Sequence, residues 1–316
     1  MDPLAALLDG PRAHGAFLLR SVLNPPWSLR IEDEAPLTLV AVVTGDAWVV
    51  PDGGDATHLG EGDVAIVRGP DPYLFADDPA TPPQAVILPG QECRTPGGEH
   101  LTDLVDTGVR TWGSDTGDTG GSSVLLTGTY PHVGEVSKRL LTALPQVLVV
   151  RAADWDSPLV PLLADEIGKD VPGQAAVLDR LLDLLLIAVL RTWFARPGSA
   201  TPAWYRAHDD PVAGRALRLL QDRPAHPWTV AGLAGETGVS RAALARRFTS
   251  AVGEPPMAYL AAFRLALAAD LLRRHPDATI GAIAHRVGYG SAFALSAAFK
   301  RQYGRSPQQY RTRVPA

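Results

Sequence analysis

The sequence predicts an α+β fold, with an N-terminal β-barrel or β-sandwich that carries helices and a C-terminal all-helical domain. Short apolar runs separated by Gly- and Pro-containing turns fill residues 15–92. After Ser137 the apolar residues recur at helical spacing. Near the C-terminus a helix-turn-helix pattern occurs twice, with one long helix between the copies. These observations define the predicted architecture.

Six segments of the first part are predicted as β-strands. Each is a short apolar or β-branched run, and clusters of Gly, Pro, Asn and Asp separate most of them. Short strands at regular spacing favour a sandwich or a small barrel. The Gly/Ser/Asp/Thr tract 111–123 is predicted as a loop. The six strands are 17–22, 37–43, 47–50, 63–67, 84–88 and 124–129.

A long helix is predicted over about 174–195, where apolar residues occupy more than one helical face. A helix of this kind lies in a core or at a dimer interface, and we interpret it as the interface of a homodimer. The Pro- and Gly-containing segment that follows predicts a linker. The predicted organisation is a first domain at 1–195, which carries the dimer helix, a linker at 196–211 and a helical domain at 212–316.

Two decapeptides at an offset of 50 residues share one pattern, 229–238 (TVAGLAGETG) and 279–288 (TIGAIAHRVG). Each begins with a Thr suited to an N-cap and ends on a Gly suited to a left-handed C-cap. A second helix follows each copy and places Leu and Phe four residues apart. These pairs are Leu244 with Phe248 and Leu295 with Phe299.

The segment between the copies, about Pro256 to Arg274, is predicted to be one helix of ~28 Å. Such a rigid helix can hold two helix-turn-helix motifs near ~34 Å apart, so that they enter successive major grooves of B-DNA. The alternative is an all-helical domain that binds no DNA. The duplication of the motif favours DNA binding.

The charge of the chain changes sign between its two parts. Residues 206–316 hold 16 Lys and Arg against 7 Asp and Glu, a balance of +9. Residues 1–205 hold the other 13 basic and 27 acidic residues, a balance of −14, which gives the net −5 of the whole chain. Basic segments attract polyanions and acidic ones repel them. We therefore expect the C-terminal part alone to meet nucleic acid.

Composition excludes several classes of protein. No apolar run reaches 18 residues, which predicts no transmembrane helix and no membrane partner. Asp2 and Asp9 lie where a signal peptide needs a basic start. The single cysteine, Cys93, excludes intramolecular disulfides and multi-thiolate zinc sites. A cytoplasmic protein is expected.

Five stretches carry a specific resemblance: 246–248 (RRF), 253–259 (GEPPMAY), 282–290 (AIAHRVGYG), 298–301 (AFKR) and 304–311 (GRSPQQYR). Through them residues 212–310 resemble the DNA-binding domain of the AraC/XylS family of bacterial transcription regulators. The resemblance implies sequence-specific binding to double-stranded promoter DNA, with one recognition helix per motif. It leaves open whether the protein is an activator, which would also meet RNA polymerase, or a repressor.

The first recognition helix is expected to read bases. Arg246 faces outward and can bind O6 and N7 of guanine. The resemblance implies base contacts at Ala242, Ala245 and Arg246, and Arg241 can reach a base or a phosphate. Arg247 completes the predicted contacts of this helix.

The second recognition helix departs from the family pattern, because its outward side chains are too small for bidentate base contacts. We expect it to contact mainly phosphates, with a thymine-methyl contact from Phe293. The outward residues are Ala292, Phe293, Ser296 and Ala297, and the phosphate-binding residues are Lys300, Arg301 and Arg305.

Residues 39–48 (LVAVVTGDAW) and 60–69 (GEGDVAIVRG) resemble the cupin-type sensor domain of one branch of this family. Metal-dependent cupins supply clustered His ligands, but 36–48 contain no His and Tyr73 lies where a His commonly follows. No metal and no cofactor are therefore expected. A pocket with aromatic and cationic residues would suit a small organic anion or an aromatic compound; its candidates are Trp27, Arg30, Trp48, Arg68 and Tyr73.

The leading interpretation is a transcription regulator rather than an enzyme, a homodimer whose small effector changes the placement of its DNA-binding domains. Two alternatives stay open at this point. One is a metal-dependent cupin enzyme with an appended DNA-binding domain. The other is a regulator whose N-terminal domain only dimerises or docks a protein partner.

Overall fold

A computed structural model describes residues 17–100, 105–108, 110–113, 122–131, 134–196 and 202–312. These residues form two compact units. The β-unit comprises the described residues of 17–131 and 144–196, and the helical unit comprises 134–143 and 202–312. The segment 134–143 therefore belongs to the helical unit, although strands of the β-unit precede and follow it.

The described strands of the β-unit form two sheets, of seven and six strands. The strands are β1 (Phe17–Leu23), β2 (Ser28–Ile31), β3 (Leu37–Thr44), β4 (Ala47–Pro51), β5 (Thr57–Leu59), β6 (Val64–Arg68), β7 (Tyr73–Ala76), β8 (Ala85–Leu88), β9 (Glu92–Arg94), β10 (Val105–Gly108), β11 (Thr111–Gly113), β12 (Ser123–Tyr130) and β13 (Val147–Val150). The first sheet has the order β10-β11-β1-β12-β3-β6-β13 and the second the order β5-β4-β7-β2-β8-β9.

The sandwich alternative of the predicted fold class is the one observed, because apolar residues of both sheets pack into one core. The six predicted strands are all present with slightly different ends. The prediction of a loop over 111–123 was wrong at its start, because Thr111–Gly113 form β11, which pairs in parallel with β1. Residues 114–121 of that tract lie outside the described residues.

The described α-helices of the β-unit are α2 (Leu159–Ile167) and α3 (Gln174–Ala195), and a 3₁₀ turn lies at Ala152–Asp154; α1 (Glu135–Leu141) belongs to the helical unit. The predicted helix over about 174–195 is α3. Its Leu182 lies against β12 at Gly128, where a Cβ would come within 2.6 Å of the leucine side chain. The glycine thus allows the helix to approach the sheet closely.

The helical unit contains α1 (Glu135–Leu141) and eight helices after residue 202. These are α4 (Ala203–Arg206), α5 (Ala213–Asp222), α6 (Val230–Thr237), α7 (Arg241–Val252), α8 (Pro256–Arg274), α9 (Ile280–Arg286), α10 (Ala292–Tyr303) and α11 (Pro307–Arg311). The two predicted motifs are α6–α7 and α9–α10, and the predicted long helix is α8. Within the stretch predicted as linker, α4 and a 3₁₀ turn at Ala207–Asp209 are helical. No single helix in the described part of the chain is long and apolar enough to cross a membrane.

Helix α1 is held on α8 by a buried carboxylate. Asp270 accepts hydrogen bonds from the backbone N–H of Glu135 at 2.6 Å and of Val136 at 3.2 Å. Tyr310 donates its hydroxyl to Glu135 Oε1 at 2.6 Å. A Cβ at Gly134 would lie 2.7 Å from Asp270 Oδ2, so glycine permits this approach. Burial raises the pKa of Asp270, while the two backbone hydrogen bonds favour its ionised form.

Candidate DNA-binding surface and effector cavity

Side-chain caps fix the start of all four helices of the two motifs. Each cap oxygen accepts a hydrogen bond from the backbone N–H three residues later, at 3.0–3.2 Å. The caps are Thr229, Ser240, Thr279 and Ser291. The predicted glycine ends are also left-handed, although Gly288 follows the C-cap Val287 rather than forming the cap itself.

The inward stripe of each recognition helix is fully buried. Leu244 and Phe248 of α7, and Leu295 and Phe299 of α10, are each 0% exposed. Burial of these residues fixes the rotation of both helices about their axes, because residues four apart share one helical face. The opposite faces are therefore turned outward, as predicted.

On α7, Arg241, Ala242 and Arg246 are exposed, and Ala245 is half-buried between them. Arg246 makes no side-chain hydrogen bond or ion pair with another described residue. Arg247 differs, because its Nη2 lies 2.9 Å from Asp210 Oδ2. This guanidinium is already engaged inside the helical unit.

Asp210 links that contact to the start of α5. Its Oδ1 accepts hydrogen bonds from the N–H of Val212 at 2.8 Å and of Ala213 at 2.7 Å. Burial disfavours the ionised carboxylate, but these hydrogen bonds and Arg247 outweigh it and hold the pKa of Asp210 below its ordinary value. Arg247 thereby positions α7 against α5, a role that its place on the recognition helix did not reveal.

The outward face of α10 is apolar near the start of the helix and basic near its end. Phe293 is 84% exposed, more than any other large apolar side chain that the structure describes. Ala297, Lys300 and Arg301 are also exposed, whereas Ala292, Ser296 and Arg305 are half-buried. The small and basic residues predicted for this surface therefore lie on one face of α10 and in the loop after it.

A cavity of about 160 Å³ lies inside the β-unit, lined by strands of both sheets. Most of its wall is apolar, including Leu19, Ile31, Phe75 and Trp112. Polar groups of the wall include Asp33 and Tyr73, and burial raises the pKa of the tyrosine hydroxyl. A mostly apolar cavity with a few polar groups has the composition of a small-molecule site.

Of the five residues predicted for the effector pocket, Tyr73 lines this cavity and the other four are not part of its wall. Trp27 packs in the core edge-to-face with Phe75 at 5.4 Å, and Trp48 stacks at a tilt on His58. Arg30 pairs with Asp52 and Glu32, and Arg68 is half-buried at the end of β6.

The alternation of side chains along β2 explains the position of Arg30. Leu29 and Ile31 line the cavity, so the residue between them points to the other face of the sheet. Sequence reasoning missed Asp33 as a residue of the cavity wall because β2 was not predicted as a strand. The alternation of Leu29, Ile31 and Asp33 along the chain was the pattern that could have placed all three on one face.

The histidines do not assemble a metal site among the described residues, where no group of three His, Cys, Asp or Glu is close enough to hold an ion. His58 lies 3.1 Å from Asp46, and His100 lies 3.6 Å from Glu92. His132 lies outside the described residues.

Comparison with known proteins identifies both parts of the chain. Residues 2–195 match a family described as Cupin, and residues 233–313 match a family described as Helix-turn-helix domain. An AraC-like transcription regulator of Streptomyces lividans is 32% identical over 316 residues, which are 98% of each chain. The chain belongs to the AraC/XylS family of transcription regulators.

Other members of the AraC/XylS family match over nearly the whole length. The HTH-type transcriptional regulator AlkR of Acinetobacter baylyi is 27% identical and covers 98% of this chain and 99% of its own. Among solved structures, the DNA-binding domain of AdpA in complex with a target DNA is 34% identical over 33% of this chain and 91% of its own, with a TM-score of 0.30.

The predicted family, fold class and general function are thereby confirmed. The protein is a DNA-binding transcription regulator with a cupin-type N-terminal domain and an AraC-type C-terminal domain. The relatives named here are bacterial transcription regulators.

Proposed function

We propose that this regulator binds its promoter DNA through α7 and α10. It acts as a cytoplasmic homodimer without enzymatic activity, and a small molecule held in the cavity of the β-unit controls its DNA binding. The observation that supports this proposal is the pair of capped helix-turn-helix motifs, one before and one after α8 in the chain. Their buried Leu and Phe residues turn the face of each recognition helix that carries basic side chains outward.

Selection from a pool of random DNA duplexes tests the proposal. The purified chain is expected to enrich one sequence whose two half-motifs are about one helical turn apart, because α8 sets the distance between the two recognition helices. Recovery of an unenriched pool at moderate salt, with and without a metabolite extract, would refute sequence-specific binding.

The two recognition helices are proposed to divide the work. Arg246 of α7 supplies base recognition, whereas Lys300 and Arg301 of α10 contact phosphates, which position a protein without specifying sequence. Phe293 is the candidate for an apolar contact with a thymine methyl group.

Replacing Lys300 by Ala is expected to weaken binding to the selected duplex and to a random duplex by the same factor. The slope of log K against log salt should fall by about 0.9, because one phosphate contact is lost. Fluorescence anisotropy titrations at several salt concentrations measure both quantities. Lys169→Ala is the control, since Lys169 is paired with Asp165 and Glu166 in the β-unit. If Lys300→Ala weakened binding to the selected duplex alone, the assignment of Lys300 to a phosphate contact would be contradicted.

The dimer contact is proposed to lie on the outer face of α3. Val177 and Leu184 are 45% and 51% exposed, and with half-buried Leu181 and Ala188 they follow the spacing of a helix–helix seam. The other face of α3 is buried within the β-unit. A second copy of α3 would cover the exposed stripe.

Leu184→Asp is therefore expected to yield a monomer at micromolar concentration while the wild type is a dimer, because a carboxylate would be buried in an apolar seam. Multi-angle light scattering after size-exclusion chromatography measures the mass. Ala175→Asp, which is exposed on α3 away from the stripe, should remain dimeric. A wild type that is monomeric, or a dimeric Leu184→Asp variant, would refute this interface.

A further inference from the structure

The cavity of the β-unit has a mostly apolar wall with one carboxyl group among its described residues. Among the described residues, four aromatic rings line it, those of Phe17, Tyr73, Phe75 and Trp112. Asp33 is the charged group in the wall, and none of the Lys, Arg or His side chains that the structure describes lines it. The volume of about 160 Å³ is close to the ~150 Å³ of an apolar cavity that holds benzene. The cavity therefore has room for about one aromatic ring.

Asp33 can accept a further hydrogen bond from a molecule in the cavity. Its Oδ1 accepts the N–H of Ala35 at 3.0 Å, and its Oδ2 accepts Nε2 of Gln91 at 3.4 Å. Each carboxylate oxygen has two lone pairs, so a further donor can be accommodated. Burial raises the pKa of Asp33, which shows that its surroundings already disfavour negative charge.

We propose that the effector is a small, uncharged and mostly apolar molecule that donates one O–H or N–H hydrogen bond to Asp33. The inference rests on the proposed function and names the ligand class of the same cavity. An anionic ligand would lose its hydration beside Asp33 without a cation in the described wall to compensate it. An ammonium ligand would bring three N–H donors into a mostly apolar wall in which Asp33 is the only described carboxyl group, so its lost hydration would be poorly offset.

This ligand class differs from the anion that Arg30 and Arg68 suggested in the sequence. Neither arginine is part of the cavity wall, and Arg30 is neutralised by Asp52 and Glu32. The aromatic part of that expectation agrees with the rings in the wall.

Three probes of one size and different charge test the proposal: benzyl alcohol, benzoate and benzylamine. Isothermal titration calorimetry of the full chain near neutral pH is expected to show benzyl alcohol binding at least about tenfold more tightly than either ion. Benzoate or benzylamine binding as tightly as the alcohol would overturn the proposal, and so would the absence of binding by all three. The titrations contain no DNA, so they are independent of the duplex selection on which the proposed function depends.

Variants of the wall locate the binding. Phe17, Leu19 and Ser21 line the cavity from β1, so Leu19→Trp should fill it and abolish binding of benzyl alcohol. Arg20→Trp is the control, because its side chain points away from the cavity, and it should bind as the wild type does. Binding retained by Leu19→Trp would place the probe elsewhere.

Asp33→Asn tests the role of the carboxylate independently of any folding defect in Leu19→Trp. The amide has nearly the same shape but no charge, so the preference for benzyl alcohol over benzoate should fall about tenfold. An unchanged preference would overturn the assignment of Asp33.

Discussion

Replacing Phe299 by Ala is expected to lower the free energy of unfolding of the helical unit by about 3–5 kcal/mol, because a fully buried aromatic ring is removed. Phe299 is 0% exposed, and its ring centroid lies 4.5 Å from that of Tyr303 and 5.3 Å from that of Tyr310. The cavity left behind would loosen α10 against α8 and α11. DNA affinity should fall with the loss of structure.

Phe293 provides the matched control on the same helix. It is 84% exposed, so Phe293→Ala should change stability by no more than about 0.5 kcal/mol, while affinity for a thymine-containing site falls. Hydrogen exchange of peptides from 256–311 measures the local stability of this unit separately from the β-unit. Equal destabilisation by both substitutions would contradict the inward and outward faces assigned to α10.

Arg246→Ala is expected to cost about 1–3 kcal/mol of specific binding, a loss of about 5- to 150-fold, and to relax base preference at one position. The side chain is exposed on α7, and the buried pair Leu244 and Phe248 holds the helix in register. The loss should be larger on the selected duplex than on random DNA, since base contacts carry the sequence information.

Arg246→Lys separates geometry from charge. Lysine keeps the positive charge but lacks the planar fork that binds guanine in bidentate fashion. It should therefore retain binding to random DNA and lose preference at the same base as Arg246→Ala. Repeating the duplex selection with each variant gives the preference directly, and an unchanged selected sequence would show that Arg246 does not read a base.

The two helix-turn-helix motifs and α8 could be predicted closely because their signals are local. Thr or Ser caps, glycine ends and Leu–Phe pairs four apart lie within a few residues of the helices that they define. The resemblance to the AraC/XylS family rests on stretches in these helices and next to them. What this reasoning could not supply was the ion pair of Arg247 with Asp210, which joins residues 37 apart in the chain.

The β-unit was predicted less completely because pairing between distant strands defines it. Strands β2 and β7 are each four residues long and pair antiparallel, with Leu29 opposite Phe75 and Ile31 opposite Tyr73. This register decides which side chains face the cavity. The apolar run of β13, Val147–Val150, has no alternation that separates a short strand from a helix.

The path of the chain through α1 limits how this protein can be cut and recombined. Because 134–143 pack with the C-terminal helices but lie between β12 and β13 in sequence, no single cleavage near residue 201 separates the two units cleanly. A C-terminal fragment would leave the Asp270 carboxylate without the two amides that it caps. A chimaera joined near residue 201 would pack the α1 of another protein on the α8 of this one. The protein that donates the N-terminal part must therefore supply, besides its cupin-type domain, a glycine at position 134 and an acceptor for the Tyr310 hydroxyl.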